Sequence, residues 1–274
     1  MKIRTHFARA AAITAAVALF GAAGVASSAA NADNRHPSGA KPTIVLVHGA
    51  FADGSSWNGV IERLRQRGYN VIAPANPRRG VASDAAYIKA LVDSVQGPVV
   101  LVGHSYGGQV ATNAAAGEEG HVKALVYVAA FIPEVGESAV ELSNKFPGST
   151  LGQTLQEVPL PGGDTDLYVK QDLFWKQFAA DVPQSEGRLM AATQRPIAKS
   201  ALAEPSAAAA WKTIPSWSII PTADKNIPPA SERFMSKRAH SKTTEVPGAS
   251  HAVLVSEPKL VANTIIEAAQ TTTH

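Results

Sequence analysis

The sequence predicts an α/β protein in which a mostly parallel β-sheet carries helices on both faces. Continuous apolar runs, such as residues 43–47 and 99–102, are typical of strands that are covered on both sides. Segments with helical apolar periodicity alternate with these runs along most of the chain. Such alternation implies right-handed crossover connections between parallel strands, which is the basis of the predicted class.

The first half of the chain supplies four strands and the helices between them. The helix after the first strand places Trp57, Val60 and Leu64 on one face and ends before Gly68. Ser83 is the expected N-cap of the next helix. In order, we predict strand 43–47, helix 56–67, strand 70–73, helix 84–95, strand 99–102, a helix ending near residue 116, and strand 122–131.

Residues 132–210 interrupt this alternation. They contain many proline and glycine residues, several amphipathic pieces and no strong strand pattern. We therefore predict a helical cap at about residues 134–210, inserted before the strand that precedes Asp224. Alternation resumes with strand 214–220, helix 229–240, strand 243–246 and helix 257–270, so that residues 43–270 form a single domain that includes the cap.

The first 32 residues have the pattern of a secretion signal. Basic residues precede a mostly apolar stretch at residues 10–26, and Ala30-Asn31-Ala32 provides a cleavage site. The apolar stretch is short for a membrane span. We expect export to the periplasm or medium of a bacterium, cleavage near Ala32, a flexible leader at residues 33–42, and no stable membrane anchor.

Charge and composition argue against several classes of partner. The chain has 25 Lys and Arg and 22 Asp and Glu; Lys2, Arg4 and Arg9 belong to the export signal, so 22 of each sign remain after cleavage. No basic stripe is present, which argues against nucleic acid. Without cysteine there is no disulfide, thiolate nucleophile or Cys-based metal site. The histidines are scattered without an H-E-x-x-H motif, and no motif implies a metal or cofactor.

A serine nucleophile is predicted at residue 105. Gly103-His104-Ser105-Tyr106-Gly107 fits G-x-S-x-G and lies between a buried strand and a helix. The turn needs neighbours without side chains, so that strand and helix approach closely and the serine hydroxyl stands clear of the sheet. The helix N-terminus behind the serine favours developing negative charge.

An aspartate and a histidine complete the predicted site. A serine hydroxyl needs a base that takes its proton, and an imidazole base needs a carboxylate that fixes its tautomer. Asp224 and His251 each follow a predicted strand, which places both at the sheet edge that carries Ser105. Glu134, which follows strand 122–131, is the rival carboxylate.

Two backbone N–H groups are needed to hold the negative oxygen of the intermediate. Tyr106, the residue after the nucleophile, is expected to supply one. The loop after the first strand is expected to supply the other, at Ala50 or Phe51. His48 and His104 are interpreted as residues that pack or form hydrogen bonds locally.

Four motifs together resemble the α/β-hydrolase superfamily: HGAFADGSSW, GHSYGG, the D-K-x-I-P-P run at residues 224–229, and ASHAV. Over residues 43–270 the chain is similar to the small-esterase branch that also holds plant methyl-ester esterases and hydroxynitrile lyases. The first oxyanion donor of that branch follows the His-Gly pair, which implies Ala50. The lyases carry a threonine in the first loop and a lysine after the catalytic histidine. This chain has Gly49 and Ala252 there, which favours hydrolysis.

The resemblance implies two-step acyl transfer on a small-molecule ester, with small to medium apolar substrates selected by the cap. Alternatives are a cofactor-free lyase, a perhydrolase or haloperoxidase-like activity on the same triad, and a non-catalytic binding protein on this fold. The sequence carries no signal for an oligomeric state. Side chains expected to line an apolar pocket are Phe51, Phe131, Phe146, Leu151, Leu155, Leu167, Tyr168, Phe174, Trp175 and Phe178.

Overall fold

The computed structural model describes residues 41–272. The strands in this part of the chain are β1 (Thr43–Val47), β2 (Val71–Ile72), β3 (Val99–Ser105), β4 (Val122–Ala130), β5 (Leu155–Pro159), β6 (Thr165–Val169), β7 (Ile197–Ala198), β8 (Ser216–Pro221) and β9 (Lys242–Val246). Six of them form one sheet in the order β2-β1-β3-β4-β8-β9, and every neighbouring pair is parallel. The strand order reverses between β1 and β3, which is where parallel sheets of this kind bind ligands.

Helices cover both faces of this sheet, as the sequence predicts. The helices are α1 (Asn58–Gln66), α2 (Val81–Ser94), α3 (Tyr106–Ala114), α4 (Ala139–Asn144), α5 (Leu151–Thr154), α6 (Gln171–Phe178), α7 (Gln184–Thr193), α8 (Lys199–Ala203), α9 (Pro229–Arg238), α10 (Val253–Ser256) and α11 (Pro258–Thr272). Alternate residues of β1 enter different layers: Ile44 packs in the layer that contains Trp57, whereas Val45 packs in the layer of α2 and α3. Both are fully buried, so the apolar run of β1 reflects burial on both faces.

The start of α2 differs from the prediction. The helix begins at Val81, so Ser83 lies inside its first turn and is not the N-cap. The carboxylate of Glu204 instead accepts hydrogen bonds from the N–H groups of Val81 and Ala82, at 2.7 and 2.9 Å. A side chain far along the sequence therefore satisfies the helix N-terminus, and this leaves no capping role for Ser83.

The cap lies between β4 and β8 and contains a small sheet in addition to its helices. Strands β5, β6 and β7 pair in antiparallel fashion in that order. The sequence interpretation of a helical cap missed these strands. Strand β5 is mostly exposed and β7 has two residues, so neither produces a buried apolar run.

Several predictions fall outside the described residues. The secretion signal at residues 1–32 and most of the leader at residues 33–42 lie there. Within residues 41–272, no helix combines the length and the apolar character needed to cross a membrane.

Candidate active site

Ser105 ends β3 in a strained turn that leads directly into α3. Its φ of 55° lies in the left-handed region, which costs a residue with a side chain roughly 1–3 kcal/mol. Two glycines near Ser105 allow the backbone of neighbouring segments to approach closely. A Cβ on Gly103 would lie 2.5 Å from the carbonyl oxygen of Gly107, and one on Gly49 would lie 2.6 Å from the Cβ of Ser105. Larger residues at these positions would push the first loop and the helix away from the serine.

Asp224 and His251 form a buried pair at the same edge of the sheet. The Nδ1 atom of His251 lies 2.5 Å from Oδ2 of Asp224, and both side chains are almost inaccessible to solvent. The other oxygen of Asp224 accepts hydrogen bonds from the N–H groups of Asn226 and Ile227, at 2.7 and 3.0 Å. Because a carboxylate only accepts, Nδ1 carries the proton and the Nε2 atom remains free to act as a base.

Glu134, the rival carboxylate, lies elsewhere. Its Oε1 atom forms an ion pair with Lys212 at 2.6 Å, and this hydrogen bond lowers the pKa of the carboxyl group. The structure therefore brings Asp224, and not Glu134, to His251.

The first loop offers one N–H group for an oxyanion. The N–H of Phe51 donates to the carbonyl of Arg195 at 2.9 Å, so the alternative donor at Phe51 is already engaged. Within residues 41–272, the N–H of Ala50 has no such backbone acceptor. Tyr106 begins α3 directly after Ser105, and its hydroxyl donates to Asp84 at 2.9 Å. Ala50 and Tyr106 are thus the candidate donor pair.

The two other histidines near the serine are buried and hydrogen-bonded locally. The Nδ1 atom of His48 lies 3.0 Å from the carbonyl oxygen of Gly49, and burial lowers the pKa of His48 to about 4. The Nε2 atom of His104 lies 3.1 Å from the carbonyl oxygen of His251, and burial lowers the pKa of His104 well below its usual value. Both rings are therefore neutral near pH 7, as expected of packing residues.

The cap braces the histidine loop, and no pattern in the sequence predicts this contact. The ring of Phe178 meets the His251 ring edge-on, with centroids 4.9 Å apart, and its carbonyl accepts a hydrogen bond from Ala252 N–H at 3.0 Å. The hydroxyl of Ser250 donates to the carboxylate of Asp181, which also belongs to the cap. Helix α6 and the loop after it thus fix the position of the imidazole.

A cavity of about 260 Å³ connects Ser105 and His251 to the cap. Of the predicted pocket residues, Phe51, Phe131, Leu151, Leu155 and Leu167 line it. The other predicted residues lie outside its wall, and they are Phe146, Tyr168, Phe174, Trp175 and Phe178. Phe146, for example, packs on Phe234, and the Trp175 indole donates to the carbonyl of Val182 at 2.8 Å. Aromatic content alone does not reveal which cap side chain faces the cavity.

Phe51 also borders a second, larger space. A groove of about 490 Å³ runs between the loop after β1 and helix α7, with Leu189 and Met190 on its far wall. The Phe51 side chain is buried and contributes to both walls. It is therefore shared by the walls of the cavity at Ser105 and of the groove.

One group of side chains in residues 41–272 has the residue types of a metal site. Asp93, Glu118 and His121 lie close together near the surface. The ammonium of Lys89 already forms ion pairs with Asp93, at 2.9 Å, and with Glu118. This group lies before β3 and β4, at the sheet edge opposite Ser105, and is no part of the candidate active site.

Two known proteins match parts of this chain, and both are named as a hydrolase or an esterase. Probable hydrolase R7 of Phoma sp. is 39% identical over 112 residues, which are 36% of this chain and 46% of that protein. A carbendazim hydrolyzing esterase of Nocardioides sp. is 34% identical over 113 residues, which are 37% of this chain and 47% of that protein. The chain thus spans about half the length of these two relatives in the matched regions.

Solved structures share the fold over a longer stretch. A pyrethroid hydrolase from Sphingobium faniae has a TM-score of 0.68 at 22% identity, covering 84% of this chain and 97% of that one. Polyneuridine aldehyde esterase has a TM-score of 0.72 at 16% identity, covering 83% and 99%. A model of the alpha/beta hydrolase family matches residues 44–264. The chain belongs to the alpha/beta hydrolase family.

Proposed function

We propose that this protein is a serine hydrolase that cleaves carboxylic esters, with Ser105 as nucleophile, His251 as base and Asp224 as the supporting carboxylate. The observation that carries the proposal is the buried Asp224–His251 pair, whose imidazole lines the same cavity as Ser105. The names of the Nocardioides esterase and the Sphingobium pyrethroid hydrolase support ester cleavage.

The geometry supports a two-step reaction. Ser105 Oγ attacks the ester carbonyl carbon while the Nε2 atom of His251 takes its proton. The negative oxygen that forms is held by the N–H groups of Ala50 and Tyr106. His251 then gives the proton to the leaving alcohol, and water cleaves the acyl-enzyme with His251 again as base.

The cavity supports a small, apolar substrate. At about 260 Å³ it lies just below the roughly 300–1,000 Å³ that is common for small-molecule sites. Four leucines and two phenylalanines contribute to its largely apolar wall, and the exposed ion pair of Lys199 with Glu157 lies at its rim. A short acyl chain or a single ring fits this space.

The proposal is tested with p-nitrophenyl esters from acetyl to palmitoyl. We expect wild-type turnover with an optimum at short acyl chains, and loss of turnover in Ser105→Ala. A folded wild type that cleaves no ester in the panel would overturn simple ester hydrolysis. Cleavage of cyanohydrins would then support the lyase alternative, and formation of peroxyacids would support the perhydrolase alternative. Binding without turnover would support a binding protein.

Export is a separate part of the proposal and is supported by the secretion-signal pattern of residues 1–32. Expression in a bacterial host, followed by mass spectrometry of the periplasmic or secreted protein, tests it. We expect an N-terminus at Asp33. A chain that keeps residues 1–32 and stays in the membrane fraction would contradict export.

A further inference from the structure

The loop between β2 and α2 holds a buried arginine that ester cleavage itself does not require. Arg78 is 3% exposed and has a φ of 59°, in the left-handed region. Burial lowers the pKa of Arg78 to about 10, so the guanidinium is still charged at neutral pH. A buried cation in a strained loop costs free energy. Its hydrogen bonds therefore indicate what it holds in place.

Arg78 joins this loop to the cap through two of its groups. Its Nε atom donates to the carbonyl of Pro196 at 2.8 Å. Its own carbonyl accepts from the N–H of Ala198, in β7, at 3.0 Å. The neighbouring cap residue Arg195 accepts the N–H of Phe51 at 2.9 Å. One cap segment, residues 195–198, thus contacts both Arg78 and the loop that carries the Ala50 donor.

Arg78 also contacts that loop through His48. Its Nη1 atom lies 3.4 Å from Nε2 of His48, and the N–H of Asn76 donates to the same nitrogen at 3.0 Å. Burial first, and then the charge of Arg78, lower the pKa of His48 to about 4. A neutral ring that accepts at Nε2 must carry its proton on Nδ1. Nδ1 therefore donates to the carbonyl oxygen of Gly49, 3.0 Å away.

This last bond determines the direction of the Ala50 N–H. The carbonyl of Gly49 and the N–H of Ala50 belong to one planar peptide group. Fixing the oxygen of that plane by His48 therefore fixes the hydrogen on its other side. The chain of contacts runs from the cap through Arg78 and His48 to the candidate oxyanion donor.

We propose that Arg78 is a positioning residue of the oxyanion hole, which orients the Ala50 N–H through His48 and ties it to the cap. The inference rests on the proposed function, because the oxyanion that the Ala50 N–H would hold forms in that acyl transfer. Arg78 touches no substrate; it acts by contacting His48 and by donating to the carbonyl of Asn76, whose N–H holds Nε2 of His48.

The test compares Arg78→Met and Arg78→Lys with Arg79→Met as matched control. Arg79 also binds the cap, through Asp166 at 2.6 Å, but its side chain does not contact His48. For each variant, kcat and KM are measured on p-nitrophenyl butyrate. The inhibition constants of a trifluoromethyl ketone and of the matching methyl ketone are measured as well. The trifluoromethyl ketone forms a tetrahedral adduct whose oxygen occupies the oxyanion hole, whereas the methyl ketone binds without forming such an adduct.

Arg78→Met is expected to lower kcat about 10- to 100-fold with KM changed by less than about threefold, since loss of a whole oxyanion donor costs roughly 10²–10³. Affinity for the trifluoromethyl ketone is expected to fall by the same factor, and methyl ketone affinity to stay unchanged. Arg78→Lys keeps the charge but not the planar fork, so an intermediate loss is expected. Arg79→Met is expected to stay within about twofold of wild type.

A loss confined to KM, or an equal loss for both ketones, would overturn the positioning role. A folded Arg78→Met enzyme with wild-type kcat would do the same. If circular dichroism shows that Arg78→Met does not fold, Arg78→Lys decides, and unchanged trifluoromethyl ketone affinity there overturns the inference. A wild type that neither cleaves esters nor reacts with a fluorophosphonate would instead refute the proposed function.

Discussion

The sheet edge and the cap contribute to the candidate site in different ways. Ser105 ends one strand of the parallel sheet, and Asp224 and His251 each follow another, so the backbone ladder sets where they lie. The cap places none of these three groups. It instead contacts their loops, for example through the carbonyl of Phe178 on Ala252 N–H and the Gln177 amide on the carbonyl of Lys225.

The sheet determines the position of each candidate catalytic residue, whereas contacts from the cap determine its orientation. Strand order brings the three residue types to one edge, which requires no particular cap. Their orientation depends on side-chain and backbone bonds that reach across from the cap. The sheet therefore explains why the chemistry is available, and the cap explains why the geometry is fixed and the cavity is small.

The largest expected effect lies at the sheet edge. Asp224→Asn would place an amide opposite Nδ1 of His251 and favour the wrong tautomer, so we expect kcat to fall about 10⁴-fold. Glu134→Gln is the matched control, since Glu134 pairs with Lys212 and not with His251. Steady-state kinetics on a short p-nitrophenyl ester measure both. More than a tenth of wild-type kcat in Asp224→Asn would show that the strands do not place the carboxylate that matters.

The next effect lies where the cap meets the histidine loop. Phe178 is 1% exposed, stacks on Phe174 at 4.9 Å and abuts His251. Phe178→Ala is expected to lower the free energy of unfolding by about 3–5 kcal/mol. Leu189→Ala, at a side chain that is 69% exposed, is expected to change it by less than about 0.5 kcal/mol. Urea denaturation measures both, and equal small effects would mean that the cap does not brace the sheet here.

A smaller effect on stability concerns a buried carboxylic acid in helix α9. Glu232 is 2% exposed, its carboxyl oxygens have no hydrogen-bond partner within residues 41–272, and burial followed by the charge of Asp224 raises its pKa. The folded state thus keeps a proton that the unfolded chain loses above its ordinary pKa, so this group makes stability fall as pH rises. Glu232→Met is expected to raise the free energy of unfolding by about 1–3 kcal/mol at pH 7.5.

The gain from Glu232→Met should shrink at pH 4.5, where the unfolded chain also holds much of the proton. Denaturation at the two pH values checks this dependence. The same gain at both would show that packing, and not the charge of the carboxylate, is responsible.

The smallest effect concerns a contact between the cap and the N-terminus of helix α2. Glu204→Ala removes the acceptor for Val81 and Ala82 and is expected to cost about 1 kcal/mol of stability, with kcat within twofold of wild type. Glu204→Gln keeps one acceptor oxygen and should lose about half as much. A large loss of kcat in either variant would contradict the division between holding the fold and orienting the site.

Local patterns predicted the sheet and the positions of its edge residues. The apolar runs of β1 and β3 indicate burial on both faces. Five consecutive residues, Gly103 to Gly107, predict the turn at Ser105. Asp224 and His251 were predictable because each follows a strand in a parallel sheet. These features depend on neighbours in the sequence or on one simple rule of topology.

Long-range partners were not predictable. Arg78 and Pro196 are separated by 118 positions, and Val81 and Glu204 by 123, so no window of sequence contains both partners. The cap aromatics failed for a related reason. The sequence shows Phe174 and Phe178 only as apolar side chains of the cap, and it does not tell whether they face the cavity or the packing behind it.

The position of Phe51 has a consequence for how such a protein diversifies. The Phe51 side chain lines both a cavity of about 260 Å³ and a groove of about 490 Å³, and Phe51 directly follows the candidate oxyanion donor Ala50. Its φ of 60° suits glycine, so trimming it relieves strain while it opens the wall. One substitution at Phe51 can therefore widen the range of esters that the proposed enzyme accepts while its catalytic groups stay the same. Acyl-length profiles of Phe51→Gly, with an optimum shifted to longer chains, would record that step; an unchanged optimum would show that the two spaces stay separate.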